Sequence, residues 1–195
     1  MQNKRLLVFG LAIFIIGFVF YQFNKNQGVH YIFNNLDRFD VQTTTYEEKI
    51  QFKLTTEEII SGLDLPLGIT ELENTNIDLV QIIERENTFS HEDEIILIIG
   101  IKSQYKSSEG TMLSLTKLNE DRSFTTSLVE LNAYDEHGNP GHFGSGNGSY
   151  YEGGYQEHIG YTFEKEELMS SKEWLFEVSG LRLVMYKKKI ERGGM

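Results

Sequence analysis

The feature that most restricts this chain is an uncharged apolar segment near the N-terminus, Leu6 to Phe23. Its 18 residues would form a helix that just crosses a bilayer core of roughly 30 Å, at about 1.5 Å per residue. The apolar region of a cleaved signal peptide is shorter, about 7 to 15 residues, and ends at small residues. Because Tyr-Gln-Phe-Asn-Lys closes this segment, the sequence predicts an uncleaved membrane anchor. A cleaved signal and a buried core helix are the alternatives.

Basic residues around the segment predict its orientation. Lys4 and Arg5 precede it, whereas Lys25 alone follows directly. Since positive charge favours the cytoplasmic side, we expect residues 1–5 to be a cytoplasmic tail and 6–23 a transmembrane anchor. The protein is then a single-pass protein of the cell membrane, with the remainder of the chain extracytoplasmic.

The extracytoplasmic part is strongly acidic. Of 18 basic and 29 acidic residues, only Lys4, Arg5 and Lys25 precede residue 26, which leaves a net charge of −14. Such a balance disfavours nucleic acid and anionic lipid, and it favours a basic protein partner or bound cations, although it also serves solubility. The absence of cysteine excludes disulfides, thiol nucleophiles and thiolate metal sites.

Two patterns at the start of this part indicate short helices. Val29, Ile32, Phe33 and Leu36 follow the period of one helix face, which predicts a helical stalk over residues 24–40. An acidic β-rich domain is then expected over residues 41–195. Within it, Thr55 and Glu58 have capping-box spacing and Gly62 follows, so a short helix is expected there as well.

Most of the domain has the pattern of β-strands. Ile50, Phe52 and Leu54 alternate with polar residues, as in a half-buried strand. Further strands are predicted at Asn76–Glu84, Glu94–Ser103, Thr111–Leu118, Phe124–Tyr134, Glu157–Phe163 and Trp174–Tyr186, the last bent at Gly180. The second of these is almost continuously apolar, which predicts a central strand covered on both faces. The expected fold is mainly β, a single antiparallel sheet or sandwich with one or two short helices.

A glycine-rich and tyrosine-rich stretch is the first candidate site. Gly138–Gly154 contains seven glycines in 17 residues and separates two predicted strands, so a long loop is expected. Its spacing fits neither a dinucleotide fingerprint nor a P-loop. Tyrosine with Gly, Ser and Asn is typical of adaptable binding loops, and the alternative is that the rings cap the core. The predicted partner-binding residues are Phe143, Tyr150, Tyr151 and Tyr155. Asn147 also begins a glycosylation sequon.

Acidic residues form the second candidate site, and catalysis finds little support. Glu92, Asp93 and Glu94 precede the most apolar strand and are predicted to contact a basic partner. Asp135–Gly141 superficially resembles a calcium loop, but His137, Pro140 and Gly146 depart from that pattern, so a turn is expected, with a weak cation site near Asp135 and His137 left open. No metal, cofactor or enzymatic activity is predicted, because no nucleophile elbow or zinc motif occurs. Carboxylates that converge only in the fold are the alternative.

The layout of the chain resembles a known family. MQNKRLLVFGLAIFIIGFVFYQF, then HYIFNNLDRF, then an acidic cysteine-free β-rich domain is similar to small membrane-anchored immunity proteins, with which Gram-positive bacteria resist exported LXG-type toxins. The resemblance covers the whole chain in organisation, includes no diagnostic motif and transfers no residue role. It implies stoichiometric binding of a toxin outside the membrane. VELNAYDEHGNP also resembles hairpins in immunoglobulin-like envelope modules, so such a module or a sensor ectodomain is the alternative.

Overall fold

A computed structural model describes residues 28–88, 91–105, 108–127 and 129–190, without the side chains of Tyr150 and Glu152. The predicted anchor at Leu6–Phe23 lies outside the described residues. Among those residues, none of the helices has the length and apolar character needed to cross a bilayer.

The described chain contains short helices and many strands. The helices are α1 (Val29–Phe33), α2 (Thr56–Ser61) and α3 (Lys165–Met169), with a 3-10 turn at Glu152–Gly154. The first strands are β1 (Phe39–Thr45), β2 (Ile50–Thr55), β3 (Leu67–Leu72), β4 (Thr75–Glu86), β5 (Asp93–Ser103), β6 (Glu109–Ser114) and β7 (Thr116–Leu118). The later strands are β8 (Phe124–Thr126), β9 (Glu130–Asp135), β10 (Gly144–Tyr151), β11 (Tyr155–Glu164), β12 (Glu173–Ser179) and β13 (Arg182–Lys188).

Every pair of neighbouring strands is antiparallel. The largest sheet has five strands in the order β10-β11-β5-β4-β3. Two three-stranded sheets have the orders β2-β12-β9 and β1-β13-β6, and β7 pairs with β8. The protein is therefore mainly β and antiparallel, as the sequence predicts, and its stacked sheets are consistent with a sandwich.

The main core lies between the five-stranded sheet and the β2-β12-β9 sheet. Alternate residues of β5, Ile95 to Ile101, are at most 1% exposed and belong to one apolar cluster with Trp174 and Phe176 of β12. Ile96 and Ile98, on the opposite face of β5, are only partly buried. The central position of β5 is confirmed, but its outer face is only partly covered within the described chain, so the predicted burial of both faces is not complete.

Helix α1 forms a second, smaller core with the β1-β13-β6 sheet. Val29 and Ile32 of α1 are fully buried in a cluster with Met112 and Val184. Val29 N donates to Ser103 Oγ at 2.8 Å, at the end of β5. In the predicted stalk region, the helix ends at Phe33 and β1 follows after a turn, so this part of the chain is packed against the domain.

Local signals explain where several elements begin and end. The capping box of α2 is confirmed: Thr55 Oγ1 accepts from Glu58 N at 3.1 Å, and Glu58 Oε2 accepts from Thr55 N at 2.7 Å. The predicted strand Trp174–Tyr186 is two strands, because Gly180 at φ +80° passes the chain from one sheet to another. The predicted strands at residues 111–118 and 124–134 are likewise each divided in two.

Candidate functional site

About half of the glycine-rich stretch is a strand, so it is not one long loop. Residues Gly144–Tyr151 form β10, which pairs with β11 from Gly144 opposite Thr162 to Tyr151 opposite Tyr155. Gly153 and Gly154, both at positive φ, make the tight turn between them. The expectation of a loop is therefore wrong, because the pairing with β11 overrides the weak strand preference of glycine and serine.

Close contacts explain some of the glycines beside aromatic rings. A Cβ on Gly148 would lie 2.5 Å from His158 Cε1, and one on Gly141 would lie 2.5 Å from Trp174 Cζ3. Gly144 and Gly146 are different. A Cβ on Gly144 would meet no atom closer than 3.7 Å, and a Cβ on Gly146 would meet no atom within 4 Å. The fold itself requires a bare backbone at Gly148 and Gly141 but not at these two positions.

Tyr155 closes one end of the outer face of the five-stranded sheet. Its ring lies directly over Gly100, where a Cβ would be 2.5 Å from Tyr155 Cδ1, and the residue is 8% exposed. The hydroxyl donates to Asp78 Oδ2 at 2.7 Å, and Lys102 Nζ lies 5.6 Å from the ring centroid. Burial, and then the Asp78 carboxylate, raise the pKa of Tyr155. This ring caps the structure and offers little surface to a partner.

Tyr151 lies on the same outer face and is more accessible. It is half-buried, its ring centroid is 5.1 Å from that of His158, and its hydroxyl hydrogen-bonds to Gln81 Oε1. Burial lowers the pKa of His158, so this imidazole is neutral at physiological pH. Tyr151, His158 and Gln81 together make a partly exposed polar and aromatic patch. The side chain of Tyr150 is outside the described part of the structure.

Phe143 packs inward at the start of the hairpin. Its ring centroid lies 5.1 Å from that of Tyr161 and 5.3 Å from that of Phe163, both of which are buried in the main core. Of the predicted aromatic residues with described side chains, Phe143 and Tyr155 therefore have structural roles. Tyr151 keeps the exposure that a contact residue needs.

The predicted acidic residues at the start of β5 differ among themselves. Glu94 is 7% exposed and accepts from Arg85 Nε at 3.0 Å and from the Asn87 amide, and these hydrogen bonds hold its pKa below the usual value. Glu92 and Asp93 are exposed. Glu94 thus has a structural role, and its two neighbours are accessible to a partner.

Further carboxylates gather around these residues. Strand pairing sets Glu164 of β11 opposite Glu94, and α3 follows immediately with Glu166 and Glu167. We call this region the acidic end: Glu84, Glu86, Glu92, Asp93, Glu94, Glu164, Glu166 and Glu167. The cations within it are Arg85, bonded to Glu94, and Lys165, bonded to Glu84. Adjacent acidic residues at 166 and 167 are the sequence signal for this cluster, but only the pairing of β11 with β5 brings them to Glu92 and Asp93.

The acidic end lies at the far end of β5 from the point where the chain enters the domain. Gly28 packs so closely that a Cβ on it would lie 2.6 Å from Gln156 Cδ, and Gln156 Oε1 accepts from Ser103 N at 2.8 Å. Asp93 and Ser103 are the two ends of β5, and ten residue steps of about 3.3 Å separate them by roughly 33 Å.

Two further polar sites, at Asp135 and Glu157, have structural explanations. Asp135 Oδ1 accepts from His137 N at 2.9 Å and Asn139 N at 2.7 Å, which makes the turn expected from the sequence. The described residues contain no group of three or more potential metal ligands. The buried Glu157 accepts from Ser114 Oγ, Leu115 N and Thr116 Oγ1, each at 2.9 Å, and burial raises its pKa. It joins β11 to the segment between β6 and β7.

Comparison with known protein families, curated proteins and solved structures finds no match. The structure itself therefore defines the class: an antiparallel, mainly β protein with a half-exposed sheet face that ends in a group of carboxylates.

Proposed function

We propose that this chain is a membrane-anchored extracytoplasmic protein that acts by binding another protein, and that the partner is an exported toxin which it neutralises. The proposal unites the apolar N-terminal segment, the layout shared with anchored immunity proteins and the surface of the described domain. Binding needs no catalytic group, and the buried carboxylates of the domain are engaged by hydrogen-bond donors within the fold.

The position of the acidic end is the observation that carries this proposal. Gly28 is fixed at the Ser103 end of β5. Five residue steps separate Phe23, the last residue of the predicted anchor, from Gly28, so that end lies within about 18 Å of the membrane surface. With β5 along the membrane normal, the acidic end would lie up to roughly 33 Å farther out. In that orientation an exported partner would meet the carboxylates first.

Charge and chemistry indicate the kind of partner. Eight carboxylates with few cations among them create a negative potential that attracts a basic protein and accelerates its association. The Tyr151 patch on the same sheet offers an aromatic contact of the kind enriched at binding hot spots. A basic exported toxin fits both features.

A protection experiment tests this function. The full-length chain is expressed in a Gram-positive host together with any exported toxin that is encoded beside its gene, and survival is measured. We expect protection by the native chain and loss of protection by the double variant Glu92→Lys and Asp93→Lys. The matched control is Asp37→Lys with Glu120→Lys, an equal charge change at exposed positions on the α1 side, which should protect normally.

Two outcomes would contradict the proposal. One is equal protection by the two double variants. The other is absence of any protection by the native chain, which together with a neighbouring sigma factor or kinase gene would favour a sensor ectodomain. A polysaccharide or wall locus would instead favour an envelope module.

A further inference from the structure

Strand β10 has an open edge. It is the last strand of the five-stranded sheet, and among the described residues its hydrogen-bond ladder runs to β11 alone. In an antiparallel strand, alternate residues direct their N–H and C=O groups to each side. Half of the backbone groups of β10 therefore point away from the sheet, where another extended segment can pair with them.

Natural edge strands carry features that prevent such pairing, and β10 lacks them. In the sheets of three or more strands, the other edge strands β1, β2, β3, β6 and β9 each contain a charged residue. At the opposite edge of the same sheet, β3 has six residues, follows Pro66, contains Glu71 and is interrupted by a bulge. Strand β10 has eight residues without a charge or a proline. Its edge is therefore unusually suited to accept a strand.

The glycines of β10 point to the same conclusion. Gly144 and Gly146 are exposed, and their own fold leaves room for a side chain at both positions. Glycine weakens a strand, and one reason for its use where the fold does not need it is the close approach of another backbone. The side chains of an added strand could extend over Gly144 and Gly146 toward Thr162.

Charge indicates which end of β10 receives the basic residues of an added segment. Gly144 lines one surface depression together with Glu94, Glu164 and Glu167 of the acidic end. The other end of β10, near Gly153, lies beside Lys102, which donates to Gly153 O at 3.2 Å. A segment that pairs antiparallel with β10 places its C-terminal residues beside the carboxylates, so basic residues are favoured there.

We propose that β10 binds its partner by strand addition, taking an extended segment of a basic exported protein that runs antiparallel to β10 and ends in Lys or Arg beside Gly144. This inference rests on the proposed function and specifies its contact. A second copy of the chain is a poorer occupant. Antiparallel pairing of two β10 strands points their Gly28 sites in opposite directions, which is unfavourable for two chains anchored in one membrane when the strands are perpendicular to it. Parallel pairing brings two acidic ends together.

Defined peptides test the proposal on the full-length protein in phosphatidylcholine nanodiscs. The probe is Thr-Val-Thr-Val-Thr-Val-Lys-Arg, and the control is Arg-Lys-Val-Thr-Val-Thr-Val-Thr, which has the same composition with the charges at the other end. We expect the probe to bind at least about fivefold more tightly than the control. At saturation it should slow hydrogen exchange within residues 144–151 by about tenfold or more. Equal binding, no binding at millimolar concentration, or protection only elsewhere would overturn strand addition.

Two neighbouring proline variants provide an internal control. Consecutive residues of a strand direct their N–H groups to opposite sides. Of the variants Gly146→Pro and Asn147→Pro, one therefore removes a hydrogen bond to β11, and the other removes an N–H donor from the open edge. The variant that keeps the native melting temperature should bind the probe at least about fivefold more weakly. Unchanged binding by that variant would count against the open edge.

Failure here is distinguishable from failure of the proposed function. If the native chain protects cells from the toxin while the edge variant protects equally well and the probe does not bind, the function stands and the contact lies elsewhere. If the native chain does not protect cells from the toxin, the proposed function fails even when the probe binds to β10.

Discussion

Truncation of Tyr155 should destabilise the fold, whereas truncation of Tyr151 should not. Tyr155 is 8% exposed, covers Gly100 and donates to Asp78 at 2.7 Å. Removing a buried large aromatic side chain costs about 3 to 5 kcal/mol, and the lower value applies here because the ring lies at one end of the outer sheet face, where water can enter. Tyr155→Phe keeps the ring and loses only the hydrogen bond, which costs about 1 kcal/mol.

Urea unfolding of the full-length protein in mild detergent measures these differences. Trp174, the single tryptophan, is 1% exposed and reports unfolding by its fluorescence. With a urea dependence of about 2 kcal/mol per molar, Tyr155→Ala should lower the midpoint by about 1.5 M and Tyr155→Phe by about 0.5 M. Tyr151→Ala, at a half-buried position, should change it by less than about 0.5 M. Equal shifts for the two alanine variants would refute the assignment of different roles to the two rings.

Further predictions concern packing, pH, topology and salt. Gly100→Ala places a Cβ 2.5 Å from Tyr155 Cδ1 and should cost about 1 to 3 kcal/mol, whereas Gly146→Ala should be nearly neutral in the same unfolding assay. The Lys49 ammonium holds the pKa of the buried Glu177 below its usual value, so its stabilisation is present at neutral pH and is lost as pH falls through that lowered pKa. Glu177→Gln should therefore cost about 2 kcal/mol at pH 7, and the difference from the native chain should narrow as pH falls through the lowered pKa of Glu177. Protease added to wall-stripped cells should leave a fragment that ends near Asn26; protection of the whole chain would reverse the orientation. Association with a basic partner should slow as salt rises, because charges are screened beyond about 8 Å at physiological ionic strength, and a salt-independent rate would leave the acidity as a solubility feature.

Sequence periodicity predicted the strands whose inner residues are apolar and failed for those without such a pattern. The alternation in β2 and the apolar run of β5 are local signals, and both strands form. Strand β10 has no apolar face, and its structure depends on a partner strand of the same sheet. Helix α3 likewise depends on tertiary packing. Its contact with the core is made through Leu168, its one fully buried residue.

The candidate site was predictable in composition and not in arrangement. Glu92 and Asp93 could be predicted as site residues because they are charged and stand next to an apolar strand. Glu164 and Glu166 belong to the acidic end only because of the register of β11 against β5. The choice between an exposed and a capping tyrosine depends on Gly100, which is 55 residues before Tyr155 in the chain and touches it in the fold. Such pairings arise from long-range sheet register, which a single sequence does not encode locally.

The most direct test of binding through this sheet face combines stability and protection for one variant. Tyr151→Ala is compared with the native full-length chain for the urea midpoint and for survival of cells that encounter the exported toxin. The account predicts a midpoint within about 0.5 M of the native value, together with clear loss of protection. Full protection by a stably folded variant would contradict a binding role for the Tyr151 patch, and early unfolding would show that Tyr151 is a structural residue like Tyr155.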